Sequence, residues 1–323
     1  MRRQTIVTLV MGATLAALPF IVTEYWVGLL TQALIFSGLA MGLDILVGYT
    51  GMPTLGHAVF FGLAGYGTGL AVTRWGIDPW AAAALGIGLS LAVALLFAPL
   101  AVRFRGLTFL TVTLAFGQVA WGLATRWTSF TGGENGIPGI QRPTFVWDLD
   151  APAGFYYLTL LVVFVLTFVL TRFAASSVGI SLRGLRDSDT RMAALGYNVK
   201  ARRAVAFSTA AFVAAIYGTL NAFFNKFLGP GSLDWRLSAQ MLLSVVVGGA
   251  GSLWGPFIAG GGLHVLKTQL VGETQRWPMV MGGLYIITAV FLPGGLASVP
   301  SRLQKALETI LSGDRQESKH GAD

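Results

Sequence analysis

The chain has 323 residues, of which 54% are hydrophobic and 11% charged, with a formal net charge of +8 and no cysteine. The missing cysteines exclude disulfides, thiol catalysis and cysteine-ligated metals, and no polar segment is long enough to bury a second, soluble core. Apolar runs close to the roughly 20 residues that cross a ~30 Å hydrocarbon layer recur along the whole chain, so composition predicts an all-α polytopic membrane protein.

In chain order the predicted spans are 6–22, 27–47, 54–73, 79–102, 106–125, 154–171, 204–224, 237–250, 254–271 and 277–293, about ten membrane helices with a range of eight to eleven. They make one membrane domain over 1–300, followed by a polar tail over 301–323 that begins as a short helical pattern. The basic start and first apolar run also fit a signal peptide, but no small-x-small cleavage site precedes Glu24, so this run is expected to stay as a span. The run 237–250 is short and passes through Gly248-Gly249-Ala250-Gly251, which predicts a half-helix or a bend.

Charge orients the spans. With Arg2 and Arg3 cytoplasmic, fifteen of the 22 Lys and Arg fall on the inside, seven of them between Arg172 and Arg203. Both termini are therefore expected in the cytoplasm, with an inner loop over 172–203 and an outer loop over 127–153. The basic clusters sit at span ends and lack interleaved stacking aromatics, which points to membrane lipid and topology and away from nucleic acid.

Small residues four apart, Gly38 with Gly42, Gly65 with Gly69, and Gly251 with Gly255 and Ala259, predict close helix approach. The stretch GYTGMPTLGH from Gly48 to His57 interrupts apolar sequence with three glycines and a proline. It reads either as irregular backbone at membrane depth around a substrate path or as a short cytoplasmic turn. Asp44 is expected near the inner end of its span, within reach of water or a partner. Thr111, Thr113 and Gln118 are expected to make interhelical hydrogen bonds or, as the alternative, to line a cavity. His57, His264 and His320 lie in separate regions without metal-ligand spacing, and neither H-E-x-x-H nor G-x-S-x-G occurs. No Walker A sequence is present: Lys267 is the one Lys followed by Ser or Thr, and Leu266 precedes it. The chain is expected not to be an enzyme, and any ATP would be bound elsewhere.

Between Leu182 and Leu195 a helical wheel places Leu182, Leu185, Met192 and Leu195 on one arc, opposite Arg183, Arg186, Asp187 and Arg191, with Asp189 intruding on the apolar side. Gly196 is the expected stop, and Asn198 the expected cap of the next helix. Such a segment either lies on headgroups or docks in a groove of a cytoplasmic partner, and Asp187 with Asp189 favours the partner.

From about Leu39 to Leu296, in five ordered blocks, the sequence resembles the LivM-type permeases of branched-chain amino acid ABC importers. The blocks are Gly48-Tyr49-Thr50-Gly51 with Leu55-Gly56-His57 and Phe60-Phe61-Gly62; Thr131-Gly132-Gly133 with Gly136 and Ile140; Leu182, Arg183, Arg186, Asp187, Asp189 with Ala194-Leu195-Gly196 and Asn198; Gly248-Gly249 with Gly251 to Pro256; and Leu292-Pro293 with Gly295-Leu296. Met52-Pro53-Thr54, Asp44 and Arg191-Met192 depart from the family's usual residues, and the first departure lies near the expected path. The resemblance implies a division of labour. This chain would pair with a related permease, two cytoplasmic ATP-binding subunits would hold ATP and Mg, and a periplasmic binding protein would deliver substrate at the inner membrane. Leu182, Arg183, Leu185, Arg186, Asp187, Asp189, Leu195 and Gly196 would couple to the ATPases. Gly48, Gly51, Thr54, Gly56 and His57 would border the path, and the loop with Thr131, Gly132, Gly133 and Asn135 would receive the binding protein. The cargo would be a branched-chain amino acid, or urea, another amide or an aromatic acid. A stand-alone secondary transporter, the alternative of another class, would need Asp44 and His57 as its ion site.

Overall fold

A computed structural model describes residues 15–144, 148–292 and 294–298. The helices are α1 (Glu24–Thr50), α2 (His57–Trp75), α3 (Pro79–Ala101), α4 (Gly106–Arg126), α5 (Pro152–Ala175), α6 (Ser177–Asp187), α7 (Asp189–Ala194), α8 (Val199–Asn225), α9 (Trp235–Gly248), α10 (Trp254–Glu273) and α11 (Trp277–Phe291). Short helical turns occupy the connections, and two residues of β1 (Ile137–Pro138) pair antiparallel with β2 (Phe227–Leu228). Each apolar run from the second onward falls on a helix. Of the predicted span 6–22, only Leu15 onward lies within the described residues, and it ends in the short turn Leu18–Phe20. The predicted tail 301–323 lies outside them.

Five helices, α1, α3, α4, α5 and α8, are long and apolar enough to cross a membrane by themselves. The glycine-rich α2 and α10 have the length, whereas α9 and α11 span only 14 and 15 residues. Backbone amides satisfied inside helices are what allow apolar runs to sit in hydrocarbon, and this chain meets that requirement almost throughout.

The centre of the bundle is α1, buried almost continuously from Thr31 to Thr50, with α8 packed antiparallel against it. Gly38 faces Tyr217, and Gly42 faces Val213. The small-residue stripe is thus a seat for larger side chains of the neighbour, as expected of bundles held by close packing. Gly65 and Gly69 instead face Leu228 and Ile140 of the connecting segments. At Gly218 of α8, an added Cβ would lie 1.9 Å from the Phe61 carbonyl of α2, so only glycine permits that approach. Some polar groups inside the bundle pair with each other or with backbone: Ser90 Oγ donates to the Phe60 carbonyl at 2.8 Å, and Thr68 and Thr219 share a bond at 3.3 Å.

Helices α2 and α9 both start deep in the bundle. Connecting residues 51–56 run from the end of α1 to His57 without helical bonding, and Gly229–Asp234, which holds the short 3-10 turn Pro230–Leu233, leads from β2 to Trp235. The two starts meet, because the Ala58 amide donates to Ser238 Oγ at 2.8 Å. From that contact α2 climbs toward the end of α8, past Leu228 and Ile137, and α9 descends toward the end of α1.

Candidate functional site

Three sets of predicted residues come together at the end of the bundle where α1 and α9 finish. Between α9 and α10 the chain breaks at Gly249–Leu253, which makes α9 the half-length helix expected from its glycines. A broken helix leaves amides unpaired, and these are costly to bury. Here Asp44 of α1 supplies the acceptors: Oδ1 takes the Gly251 amide at 2.7 Å, and Oδ2 takes the Leu253 amide at 2.9 Å. Asp44 is fully buried. The expectation that it reaches water or a partner is therefore corrected, because its partner is the break 207 residues away in sequence.

Leu253 holds φ at +59°, a backbone region that a branched side chain avoids at a cost of about 1–2 kcal/mol. The bond to Asp44 and the burial of the Leu253 side chain fix it there. Gly48 completes the junction. Its added Cβ would strike Asp44 Oδ1 and the Gly251 amide at 2.1 Å, so α1 and the break touch backbone to backbone.

The charged segment reaches the same junction. It is not one helix: Ser188 is extended, ends α6, and caps α7 by accepting the Arg191 amide at 3.2 Å. Leu182, Leu185 and Met192 are buried as the wheel predicts, but Leu195 is 67% exposed because the break at Ser188 takes it out of register. Arg183 and Arg186 do not face wholly outward either. Arg183 lies over the Tyr49 ring and donates to its hydroxyl at 3.0 Å. Arg186 Nη1 donates to the Gly48 carbonyl at 2.6 Å and to the Ala250 carbonyl at 3.4 Å. One guanidinium thus ties α6 to the end of α1 and to the break. Gly51, with φ +67°, turns the chain against the Arg186 stem.

Asp189 intrudes on the apolar arc because it has charged partners, Arg203 of α8 and Arg105 at 3.1 Å. Asp187 is exposed, Gly196 turns with φ +84°, and Asn198 caps α8 by accepting the Ala201 amide at 3.0 Å.

The other residues expected to border a path lie near the seam where α2 and α9 start. Thr54, Gly56 and His57 are buried, as irregular backbone at membrane depth requires. Thr54 Oγ1 accepts the Gly56 amide at 3.1 Å, and Thr113 Oγ1 of α4 accepts the Leu55 amide at 3.3 Å. Along the stretch Met52, Thr54, Gly56 and His57 are buried, Pro53 and Leu55 half-buried, and Gly51 exposed. Gln118 takes the lining alternative, in an open groove on α4, and Thr111 turns back on its own helix, donating to the Leu107 carbonyl at 2.7 Å. Ser238, Tyr49 and Arg105 are contacts that patterns along the chain do not announce.

At the opposite end, Thr131 is buried and donates to the Ala124 carbonyl at 2.6 Å, while Gly132 and Gly133 hold positive φ in the turn below it. The turn presents Glu134 and Asn135 outward. Arg142 fastens this loop to the bundle, donating to the Phe223 and Phe224 carbonyls at 3.0 and 2.9 Å and to the Leu149 carbonyl at 2.8 Å. Beside it, the Lys226 ammonium holds the Asp150 carboxyl below its ordinary range, through a hydrogen bond at 2.6 Å and its charge.

Among the described residues no group of His, Cys, Asp or Glu is arranged to hold a metal ion. The chain is 30% identical over 87% of its length to the high-affinity branched-chain amino acid transport system permease protein LivM of Salmonella typhimurium, covering 72% of that protein. It is 29% identical over the same share to the LivM of Escherichia coli. No solved structure matches. The family model described as the branched-chain amino acid transport system permease component matches residues 25–290, from the start of α1 to the end of α11, so that both broken connections and the charged segment fall inside it; the chain belongs to that family of transport permeases.

Proposed function

We propose that this chain is the membrane subunit of an ATP-driven importer that passes branched-chain amino acids, or related small amides and carboxylates, across a bacterial inner membrane. Both termini face the cytoplasm in this reading, and 172–203 is an inner loop. Two ATP-binding subunits carry ATP and Mg beneath that loop, a second, related permease completes the membrane unit, and a periplasmic binding protein lands on the outer loop near Asn135.

The observation that carries the reading is Arg186, a single side chain joining the charged segment to the end of α1 and to the α9–α10 break. A push on α6 and α7 by a nucleotide-driven partner is delivered where the backbone is irregular, the kind of place at which a two-state rearrangement can be biased. The path then runs from the junction at Gly48 and Gly51 to the seam bordered by Thr54, Gly56 and His57, where the starts of α2 and α9 meet. Asp44 is an unsuitable ion-coupling site, since backbone amides occupy both its oxygens.

The test is uptake and ATP hydrolysis in vesicles holding the assembled complex. Arg186→Ala is expected to lower uptake at least tenfold while leaving the protein in the membrane and ATP hydrolysis running. Uptake and hydrolysis both at wild-type rates would remove the coupling role. Purification in mild detergent with mass spectrometry of co-purifying chains tests the assembly: a single species that still transports would sink the importer reading.

A further inference from the structure

A second cluster of charge lies between the α3–α4 turn and the start of α8. Arg103 and Arg105 from the turn, Lys200 and Arg203 from α8, and Asp189 from α7 line a cavity of about 440 Å³. Four cations surround one carboxylate. Arg203 is 94% buried by its 6% exposure, and its Nε has no hydrogen-bond partner among the described residues; nor has Asp189 Oδ1. The amide end of α8 opens on the same space, and the helix dipole there favours an anion.

We infer that this cavity is a binding site for an anionic phospholipid, with its phosphate among Arg103, Arg105, Lys200 and Arg203. Depth selects the lipid over a soluble anion. The cavity sits at the ends of α3, α4 and α8, three of the membrane-crossing helices, where headgroups lie. Leu100 and Leu107 flank the turn and are 47% and 82% exposed, so acyl chains have apolar surface to rest on directly beside the cations. The occupant bridges α7 to the bundle and so steadies the charged segment.

The full chain, purified and stripped of lipid in detergent, is to be titrated with phosphatidylglycerol, phosphatidylcholine and inorganic phosphate, reading thermal unfolding and retained lipid by native mass spectrometry. Phosphatidylglycerol is expected to raise the unfolding temperature and stay bound; phosphatidylcholine and inorganic phosphate at equal concentration are not. The double variant Arg103→Gln, Lys200→Gln avoids the buried Arg203 and is expected to weaken retention roughly thirtyfold for two surface charges lost. Arg126→Gln, at the other membrane face, serves as control and is expected to bind as the parent does. Equal retention of the two lipids, or unchanged retention by the double variant, overturns the site. Stabilisation by inorganic phosphate as strong as by phosphatidylglycerol assigns it to a soluble anion and overturns the lipid. So does a double variant that keeps its lipid but loses a co-purifying protein, which would make the cluster a seat for acidic side chains.

Discussion

The two halves of the bundle are built alike and finished differently. Helices α1 and α8 are both 27 residues long, lie antiparallel, and end in a left-handed residue, Gly51 at φ +67° and Lys226 at φ +51°. Each is followed by a connection that leads to the start of a second helix, α2 or α9; the first is without helical bonding and the second carries the 3-10 turn Pro230–Leu233, and the two helices leave their meeting point in opposite directions. The first half then closes by itself: α2 turns at Gly76, and Asp78 caps α3 by accepting the Trp80 and Ala81 amides. The second half does not. Its α9 stops after 14 residues, and the amides of the break beyond it are held by Asp44 of the first half, with Arg186 closing over the carbonyl of Ala250. A segment that borrows its bonds from elsewhere opens when the lender moves, which is the property a gated pathway needs.

The largest effect is expected where that loan is cancelled. Asp44→Ala leaves two buried amides unpaired and is expected to cost about 2–5 kcal/mol, seen as a lower unfolding temperature in detergent. Hydrogen exchange should then rise at residues 249–253 and leave Gly76–Ala81 protected. Faster exchange spread evenly over both regions would show that the halves are not distinct in this respect. Asp44→Asn retains one acceptor and is expected to lose about half as much.

A smaller loss sharpens the symmetrical part of the comparison. Ser238→Ala removes the acceptor that joins the starts of α2 and α9, and about 1–2 kcal/mol is expected. Thr113→Val removes the acceptor for Leu55 and should cost less, because that bond is longer, 3.3 against 2.8 Å. The reverse order, measured by the same unfolding assay, would locate the main seam against α4.

The smallest effect is expected at the exposed outer pair. The Lys226 bond and charge hold the Asp150 carboxyl low, so what stability it adds is present at neutral pH and is lost as pH falls through its depressed folded value. Asp150→Asn should cost no more than about 0.5 kcal/mol at pH 7, and the difference between variant and parent should vanish in acid. A gap that persists there would mean that the contact works through packing.

Much of this was legible along the chain. Apolar runs marked the helices because a membrane span must be both long and uniformly apolar, and the glycines at 248–251 announced the half-length helix. The start of α2 was read three residues early, since Thr54 and Leu55 continue an apolar pattern while their amides are spent on side chains and turns. The wheel over Leu182–Leu195 ran through Ser188 because periodicity cannot sense a capping hydroxyl, so Leu195 was placed on the wrong face. Asp44 stands out in the sequence only as a group within reach of water or a partner, and Arg186 as an exposed coupling residue, without the backbone contacts that each makes. Their true neighbours lie 207 and 138 residues away, a distance that no local pattern spans.

Arg142 has one more consequence. Its guanidinium grips the last carbonyls of α8 and the outer loop together, while the other end of α8 begins at Asn198, directly after the charged segment. A helix of 27 residues is a stiff rod about 40 Å long. A load placed on that loop therefore bears on one end of a strut whose far end stands beside the charged segment, so the two ends of the bundle are mechanically joined through a single helix.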